Sequence, residues 1–328
     1  MPREILGIDL GSSNTRIYSS LTGGVVFSEP TCIAFDTNTN AVKEVGFLAK
    51  KIEGRTPYNY RVVSPVENGL VSDIDAATKY LETILLDLRL NRQFRSVTLV
   101  FSAPSHCSKV NQGALIEIGK RLQAREIYIE SQAKLGALGA GENVYSPNAT
   151  LVTNIGAGVS DIACISMGET VSSASSFFAG NTFDESIRRY LQQEEHLAVG
   201  SKSAEALKKK IGNVSESGEN ILSEIKGRDT LTSLPSSAVI SSSSLKEVLL
   251  PEARFLALKI TDVIASLPPE LASDLVRNGM LLTGGGALLT GLKDYFQKTL
   301  SLIVRTDKEP DSAVVKGLGV YITNLLNA

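Results

Sequence analysis

Three glycine turns hold the residues best suited to chemistry. In "GIDLGSSNT" the turn from Gly11 through Ser12 and Ser13 to Asn14 can aim successive backbone N–H groups into one concavity, a nest that suits phosphate oxygens. Asp9 stands at its mouth, where a carboxylate can hold a magnesium ion, usually through waters, and the side chains of Ser12, Ser13 and Asn14 add donors. The stretch "LVTNIGAGVSDIACIS", Leu151 to Ser166, has the same build, with Gly156, Ala157 and Gly158 at its turn. There Asn154 and Val159 stand where a metal-seeking carboxylate and a hydroxyl would be useful, so the backbone can still hold phosphate while the metal meets only a neutral amide. The third turn, in "LLTGGGALLTGL", runs from Gly284 through Gly285 and Gly286 to Ala287, and its bare backbone can approach a flat ligand such as a purine.

The scaffold behind these turns reads as a duplication. Laid over each other without a gap, the first two stretches place Asp9 on Asn154, Gly11 on Gly156, Ser13 on Gly158, Thr15 on Ser160 and Ile17 on Ile162. Such a distant repeat suggests two halves, each opening with a hairpin and facing the other across a cleft, the kind of interface that pockets favour. A chain of 328 residues also exceeds the roughly 250–300 at which one core stops growing. After each hairpin the pattern is α/β. "SDIDAATKYLETILLDLRL" offers Ser72, Asp73 and Asp75 as helix caps ahead of an apolar face of Tyr80, Leu81, Ile84, Leu85 and Leu88. "SVTLVFSAP" and "EIYIE" read as strands and "SQAKLGALGAG" as a small-residue helix, while Pro251 is expected to bend or restart a long later helix. "SSAVISSSS" is expected to be a polar turn ending in an N-cap, and Val315, Leu318, Ile322 and Leu325 mark an amphipathic helix that closes the chain.

Composition removes other classes. A net charge of -2 supplies no field for gripping nucleic acid. No apolar run approaches the roughly 18 to 20 residues of a spanning helix, and no signal peptide is legible. Cys32, Cys107 and Cys164 form no pair motif, which points to a reducing, cytoplasmic setting. Two histidines, His106 and His196, give a zinc site or a catalytic triad little to build on. Neither a P-loop nor a Rossmann fingerprint is present.

Three separated glycine turns, an internal duplication and a returning terminal helix resemble the actin, Hsp70 and sugar-kinase superfamily. Within it, "GIDLGSSNTRIY", "SEPTCIAF", "GRTPYN", "PVENGLVSDID", "IKGRDTLTSLP", "LPPELASDLVRNGMLLTGGGALLTGL" and "VVKGLGVY" look like successive landmarks of the bacterial actin homologue MreB, in order over essentially the whole chain. The resemblance implies an actin-like fold: two RNase H-like domains, each with a smaller inserted subdomain, and a nucleotide cleft between them. The first would cover residues 1–146 plus 313–328 with its insertion around 30–70, and the second residues 147–312 with its insertion around 183–250. It further implies ATP or ADP with Mg2+ and head-to-tail polymerisation into paired protofilaments beneath the inner membrane face. Paralogous filament subunits and membrane shape proteins would be the other partners, in cell-shape or cytoskeletal organisation. By the same resemblance Gln132 takes the position of a water-orienting glutamate, and Glu205 and Lys208 border the ribose and base.

Departures from that family pattern bear on the chemistry. Asn154, Ala157 and Val159 stand for an aspartate, a glycine and a threonine, and "SQA" stands for Glu-Glu-Pro. Gln132 can orient a water but cannot accept its proton. Each loss is worth about 1–3 kcal/mol, the scale of a lost buried hydrogen bond, so hydrolysis is expected to be slow to negligible while binding persists. No amphipathic anchor helix fits before the first strand, so the expected membrane contact is the loop "RLNRQFRS", with Leu90 and Phe94 entering the headgroup region. Two rival readings are a small-molecule or sugar kinase of the same superfold and a non-polymerising adaptor that has lost its nucleotide.

Overall fold

The computed structural model describes residues 4–54, 58–88, 97–216 and 218–327. The chain forms two compact units: Met1–Val144, Gly156–Gly158 and Ser312–Ala328 in the first, Tyr145–Ile155 and Val159–Asp311 in the second. The loop carrying Leu90 and Phe94 lies outside the described residues.

In the first unit, β1 (Ile5–Leu10) is buried along its whole length, as "ILGIDL" requires of a strand covered on both faces. Antiparallel β2 (Asn14–Ser19) alternates half-buried with buried positions, and β3 (Gly24–Pro30) continues the meander. The chain then leaves for a small sheet of β4 (Ile33–Asp36), β5 (Val42–Val45) and β6 (Tyr60–Val63), with α1 (Gly46–Ile52) packed on it. A tight hairpin of β7 (Val66–Glu67) and β8 (Leu70–Val71) follows, turning through Asn68 and Gly69 at φ 51° and 74°, the left-handed pair an Asn-Gly turn supplies.

Of the three candidate caps, Asp73 starts α2 (Ile74–Asp87), accepting the Ala76 N–H at 2.8 Å. Of its expected face Tyr80, Leu81, Ile84 and Leu85 are buried and the C-cap Leu88 is half-buried, and the Tyr80 hydroxyl donates to the Pro30 carbonyl at 3.0 Å. Strand β9 (Thr98–Ala103), α3 (Lys109–Arg121) and β10 (Glu126–Ser131) add two parallel strands beside β1, and α4 (Gln132–Gly139) leads out.

The second unit repeats the plan with β11 (Thr150–Ile155), β12 (Ser160–Ser166) and β13 (Glu169–Ser176), followed by α5 (Gly180–Gln193), β14 (Leu197–Ala198) and α6 (Ser201–Ile211). Strands β15 (Leu222–Asp229) and β16 (Pro235–Ser241) pair with β14 in a second small sheet. Next come α7 (Ser242–Ala265), α8 (Pro269–Asn278), β17 (Met280–Thr283), a short 3-10 turn over Gly285–Leu288, α9 (Leu292–Leu300) and β18 (Val304–Thr306). The two large sheets have the same order, β3-β2-β1-β9-β10 and β13-β12-β11-β17-β18, with the same antiparallel and parallel neighbours. The repeat legible in the residues is therefore a repeat of the backbone.

Two local expectations change. Helix α7 runs unbroken through Pro251, because Leu245, Leu249, Ala253 and Leu256 are buried on both sides of it and hold the helix against the loss of one hydrogen bond. The serine tract is half strand: Pro235–Ser241 forms β16, and Ser241 then caps α7 by accepting the Ser244 N–H at 3.0 Å. The three cysteines are unbridged, and burial pushes the Cys164 thiol up to about 11.

The chain closes in the first unit with α10 (Ala313–Asn327), which lies on α4 with almost no spacing. A Cβ at Gly317 would strike the Leu135 carbonyl, and one at Gly139 the Ala313 carbonyl. Gly317→Ala is expected to cost about 2–3 kcal/mol, the range of an overpacked core, in urea unfolding.

Candidate functional site

The first hairpin turns where β1 gives way to β2. Asp9, near the end of β1, is buried, and Ser102 at the end of β9 donates its hydroxyl to Asp9 Oδ1 at 2.6 Å. Burial pushes the Asp9 carboxyl above its ordinary range, against the Ser102 hydrogen bond and the Arg16 charge, which both lower it. Gly11 serves the turn differently from expectation. Its N–H is spent on the Asn14 carbonyl at 3.1 Å, and a Cβ there would sit 2.8 Å from that oxygen. Among the described residues, the N–H groups of Ser12 and Ser13 have no protein acceptor. Ser12 Oγ accepts the Gly69 N–H at 2.7 Å, which leaves the Ser12 hydroxyl hydrogen available to an anion.

The second turn belongs to the same compact unit as the first. Gly158 lies so near that a Cβ would meet the Asn68 backbone and stand 2.5 Å from Ser12 Oγ, so only glycine fits there. The backbone N–H groups of Gly156, Ala157 and Gly158 also lack a protein acceptor among the described residues. Two neighbouring turns with unanswered donors make a cradle for an anion. Gln132, the first residue of α4, is buried in the same unit. It follows the N-cap Ser131, whose hydroxyl accepts the Lys134 N–H at 3.3 Å and pairs with the Ser105 hydroxyl at 2.6 Å. Ser105 is a support no sequence pattern marked.

In the second unit, β11 ends at Asn154 and Ile155 beside the third glycine turn. Gly284 adopts φ 83°, its N–H donates to the Pro310 carbonyl at 2.8 Å, and a Cβ there would lie 2.6 Å from Asn154 Oδ1. A Cβ at Gly286 would likewise strike Ile155. Gly285, Gly286 and Ala287 line the 3-10 turn that follows. Directly across the ladder from Asn154 stands Asp161, fully buried, accepting the Ser175 hydroxyl at 2.9 Å. In the first hairpin the matching pair is Asp9 with Arg16, so the two copies carry different charges at one register. The overlay of the two stretches already aligned Arg16 with Asp161, and that signal went unused. No cluster of three or more metal-ligating side chains occurs among the described residues, so a cation at Asp9 would keep most of its waters.

Helix α6 lies beside the third turn because the Val214 N–H donates to the Thr290 carbonyl at 2.9 Å. Glu205 pairs with the exposed Lys209 at 2.7 Å. The Lys208 ammonium is directed away from α6 and reaches Asp184 Oδ1 and the Gly180 carbonyl of α5, both at 2.8 Å. Burial raises the Asp184 carboxyl, and the Lys208 charge opposes that shift. Lys208 thus ties α6 to α5. Lys208→Met, which strands Asp184, is expected to cost about 3 kcal/mol in urea unfolding, and adding Asp184→Leu should return most of it.

Comparison with known proteins agrees with this architecture. The family model described as MreB/Mbl protein matches residues 3–327. The cell shape-determining protein Mbl of Bacillus subtilis (strain 168) is 32% identical over 320 residues, covering 98% of this chain and 96% of that protein. The crystal structure of MreB 5 of Spiroplasma citri bound to AMPPNP superposes with a TM-score of 0.95 at 33% identity, covering 100% of this chain and 98% of that one. The MamK double helical filament, at 20% identity and TM-score 0.82 over 98% and 99% of the two chains, shares the fold. The duplicated sheets are those of the actin-like fold, and with a family model spanning nearly every residue, the chain belongs to the MreB/Mbl family.

Proposed function

We propose that this chain is a cytoskeletal filament subunit that binds adenine nucleotide with Mg2+, assembles head to tail into paired protofilaments at the inner membrane face, and hydrolyses ATP slowly or negligibly. The observation that carries the reading is the pair of register-matched hairpins whose turns share one unit, the first with a buried carboxylate at Asp9 and the second with a neutral amide at Asn154. The phosphates are assigned to the unanswered N–H groups of Ser12, Ser13, Gly156, Ala157 and Gly158, and the nucleoside to α6 at Glu205 and to the Gly284–Ala287 loop. The relative whose crystal structure carries AMPPNP supports nucleotide binding. Magnesium, when bound, neutralises charge on the phosphate oxygens. Asp9 would anchor its water shell, Ser12 would donate to a phosphate oxygen, and Gln132 would orient a water without being able to take its proton. Assembly then follows differential affinity between conformations rather than turnover.

Pelleting in Mg-ATP, Mg-ADP and a non-hydrolysable analogue, with phosphate release followed in parallel, tests the proposal. Equal pelleting in ATP and the analogue with little phosphate released is the expected result. No pelleting in any nucleotide, or release as fast as assembly, would overturn it.

A further inference from the structure

We infer that Thr31 is a positioning residue for phosphate, which presets the first glycine turn so that the Ser12 N–H is aimed outward as a donor. This inference deepens the nucleotide reading and rests on it. Thr31 follows β3, where the chain leaves for the small sheet, and it is buried. Two of its groups hold the turn. The Thr31 hydroxyl donates to the Gly11 carbonyl at 2.6 Å, and the Thr31 N–H donates to the Ser13 carbonyl at 3.0 Å. A trans peptide is planar with its C=O and N–H on opposite sides, and the described residues contain no cis bond. Pinning the Gly11 oxygen to Thr31 therefore aims the Ser12 N–H the other way. With the Ser13 oxygen pinned as well, the peptide between Ser12 and Ser13 is held from both sides.

The clamp is itself held. The Thr31 hydroxyl has spent its hydrogen on Gly11, so in its contact with Thr15 Oγ1 at 2.8 Å the Thr15 hydroxyl is the donor. The two buried threonines thus form a directed chain into the turn, in which each bond polarises the next. Beside them, the Pro30 carbonyl accepts the Cys32 N–H at 2.9 Å and the Tyr80 hydroxyl at 3.0 Å. Burial raises the Tyr80 phenol far above its ordinary range, so that donor is kept. Just after β6, the Ser64 hydroxyl donates to the Thr31 carbonyl at 3.3 Å. Thr31 is thereby fixed from both strands that join the small sheet to the large one.

The second hairpin separates a role in holding phosphate from a need of the hairpin itself. Glu29 faces Thr15 across the β2–β3 ladder and Ser176 faces Ser160 across the β12–β13 ladder, so two residues further on Thr31 corresponds to Phe178. Phe178 has no hydroxyl to offer. Its N–H goes to the Ser176 hydroxyl oxygen at 3.2 Å, its carbonyl accepts the Ser160 hydroxyl at 2.6 Å, and its ring stacks on Phe255 at 3.8 Å. The same hairpin therefore forms without a side-chain clamp at this register, and the clamp on the first turn serves what that turn holds.

Binding of Mg-ATP and of adenosine to the full chain, by calorimetry well below the unfolding temperature, tests this role. Adenosine has no phosphates, and its contacts are assigned to α6 and the Gly284–Ala287 loop. Thr31→Val keeps the shape and removes the hydroxyl. It should raise the Kd for Mg-ATP roughly tenfold, the equivalent of one hydrogen bond, and leave the Kd for adenosine unchanged. Thr31→Ser should bring the Mg-ATP affinity back to within about threefold of native. Adenosine weakened in parallel with Mg-ATP, a lower thermal midpoint with both affinities native, or a serine variant as weak as the valine one would overturn the inference and leave the nucleotide reading standing. If the native chain binds neither ligand, both fall. Where Thr31→Val does not fold, Thr15→Val decides, since it removes only the hydrogen bond that the Thr31 hydroxyl accepts. A Kd for Mg-ATP about threefold higher with adenosine unchanged is then expected, and an unchanged Mg-ATP Kd would overturn the inference.

Discussion

Phosphate release from assembled, magnesium-loaded protein is expected to rise roughly a hundredfold or more in the variant Gln132→Glu/Asn154→Asp/Val159→Thr, since tenfold in rate corresponds to about 1.36 kcal/mol of barrier. Under the role proposed for Gln132, glutamate at that position takes the proton of a water that an amide can only orient. Threonine at 159 restores a hydroxyl in a buried, valine-shaped space, and aspartate at 154 adds charge beside the glycine loop. The gains will not sum, because Asn154 and Val159 flank one turn. Asn154→Asp alone carries a diagnostic cost. It sets a carboxylate directly across the ladder from the buried Asp161, so the thermal midpoint should fall in chelator and recover in Mg-ATP. An unchanged rate in the triple variant would mean that these positions do not limit hydrolysis.

Asp9→Asn is expected to remove the response to nucleotide without harming the fold. At a Mg-ATP concentration about 100 times the dissociation constant, binding should stabilise the native chain by about 2.7 kcal/mol, and the variant should gain almost nothing. The unliganded variant should be at least as stable as the native chain. Asparagine keeps an oxygen for the Ser102 hydroxyl while removing a charge that burial disfavours. Thermal unfolding with Mg-ATP, and with ATP in chelator, checks both halves. A native-sized response in the variant would take Asp9 out of the metal's shell.

The legible part of this protein was its repetition. Asp9 over Asn154 and Ile17 over Ile162 mark two halves that each open with a hairpin, because hairpin register is written in the alternation of apolar side chains, and the common strand order of the two sheets came with the structure. The glycine turns were legible for a related reason: at Gly158 and Gly284 a side chain has nowhere to go, and glycine leaves a visible mark. Partnerships between distant elements left no such mark. Nothing in "SAEALKKKIG" says that Lys208 will cross to Asp184 while its neighbour Lys209 stays with Glu205, since lysine is spelled the same on either side of a helix. Ser102 and Ser105 are ordinary strand-end serines until the fold brings Asp9 and Ser131 to them. Pro251 does not restart α7: its local penalty is visible in the sequence and the tertiary packing that outweighs it is not.

The glycine contact between α4 and α10 makes a mechanical statement about the first unit. With Leu135 against Gly317 and Ala313 against Gly139, no side chain separates the two backbones to absorb a tilt. One helix begins with Gln132, and the other closes the chain. The amide of Gln132 and the closing helix therefore ride on one stiff bracket, so a tilt of either is passed whole to the other.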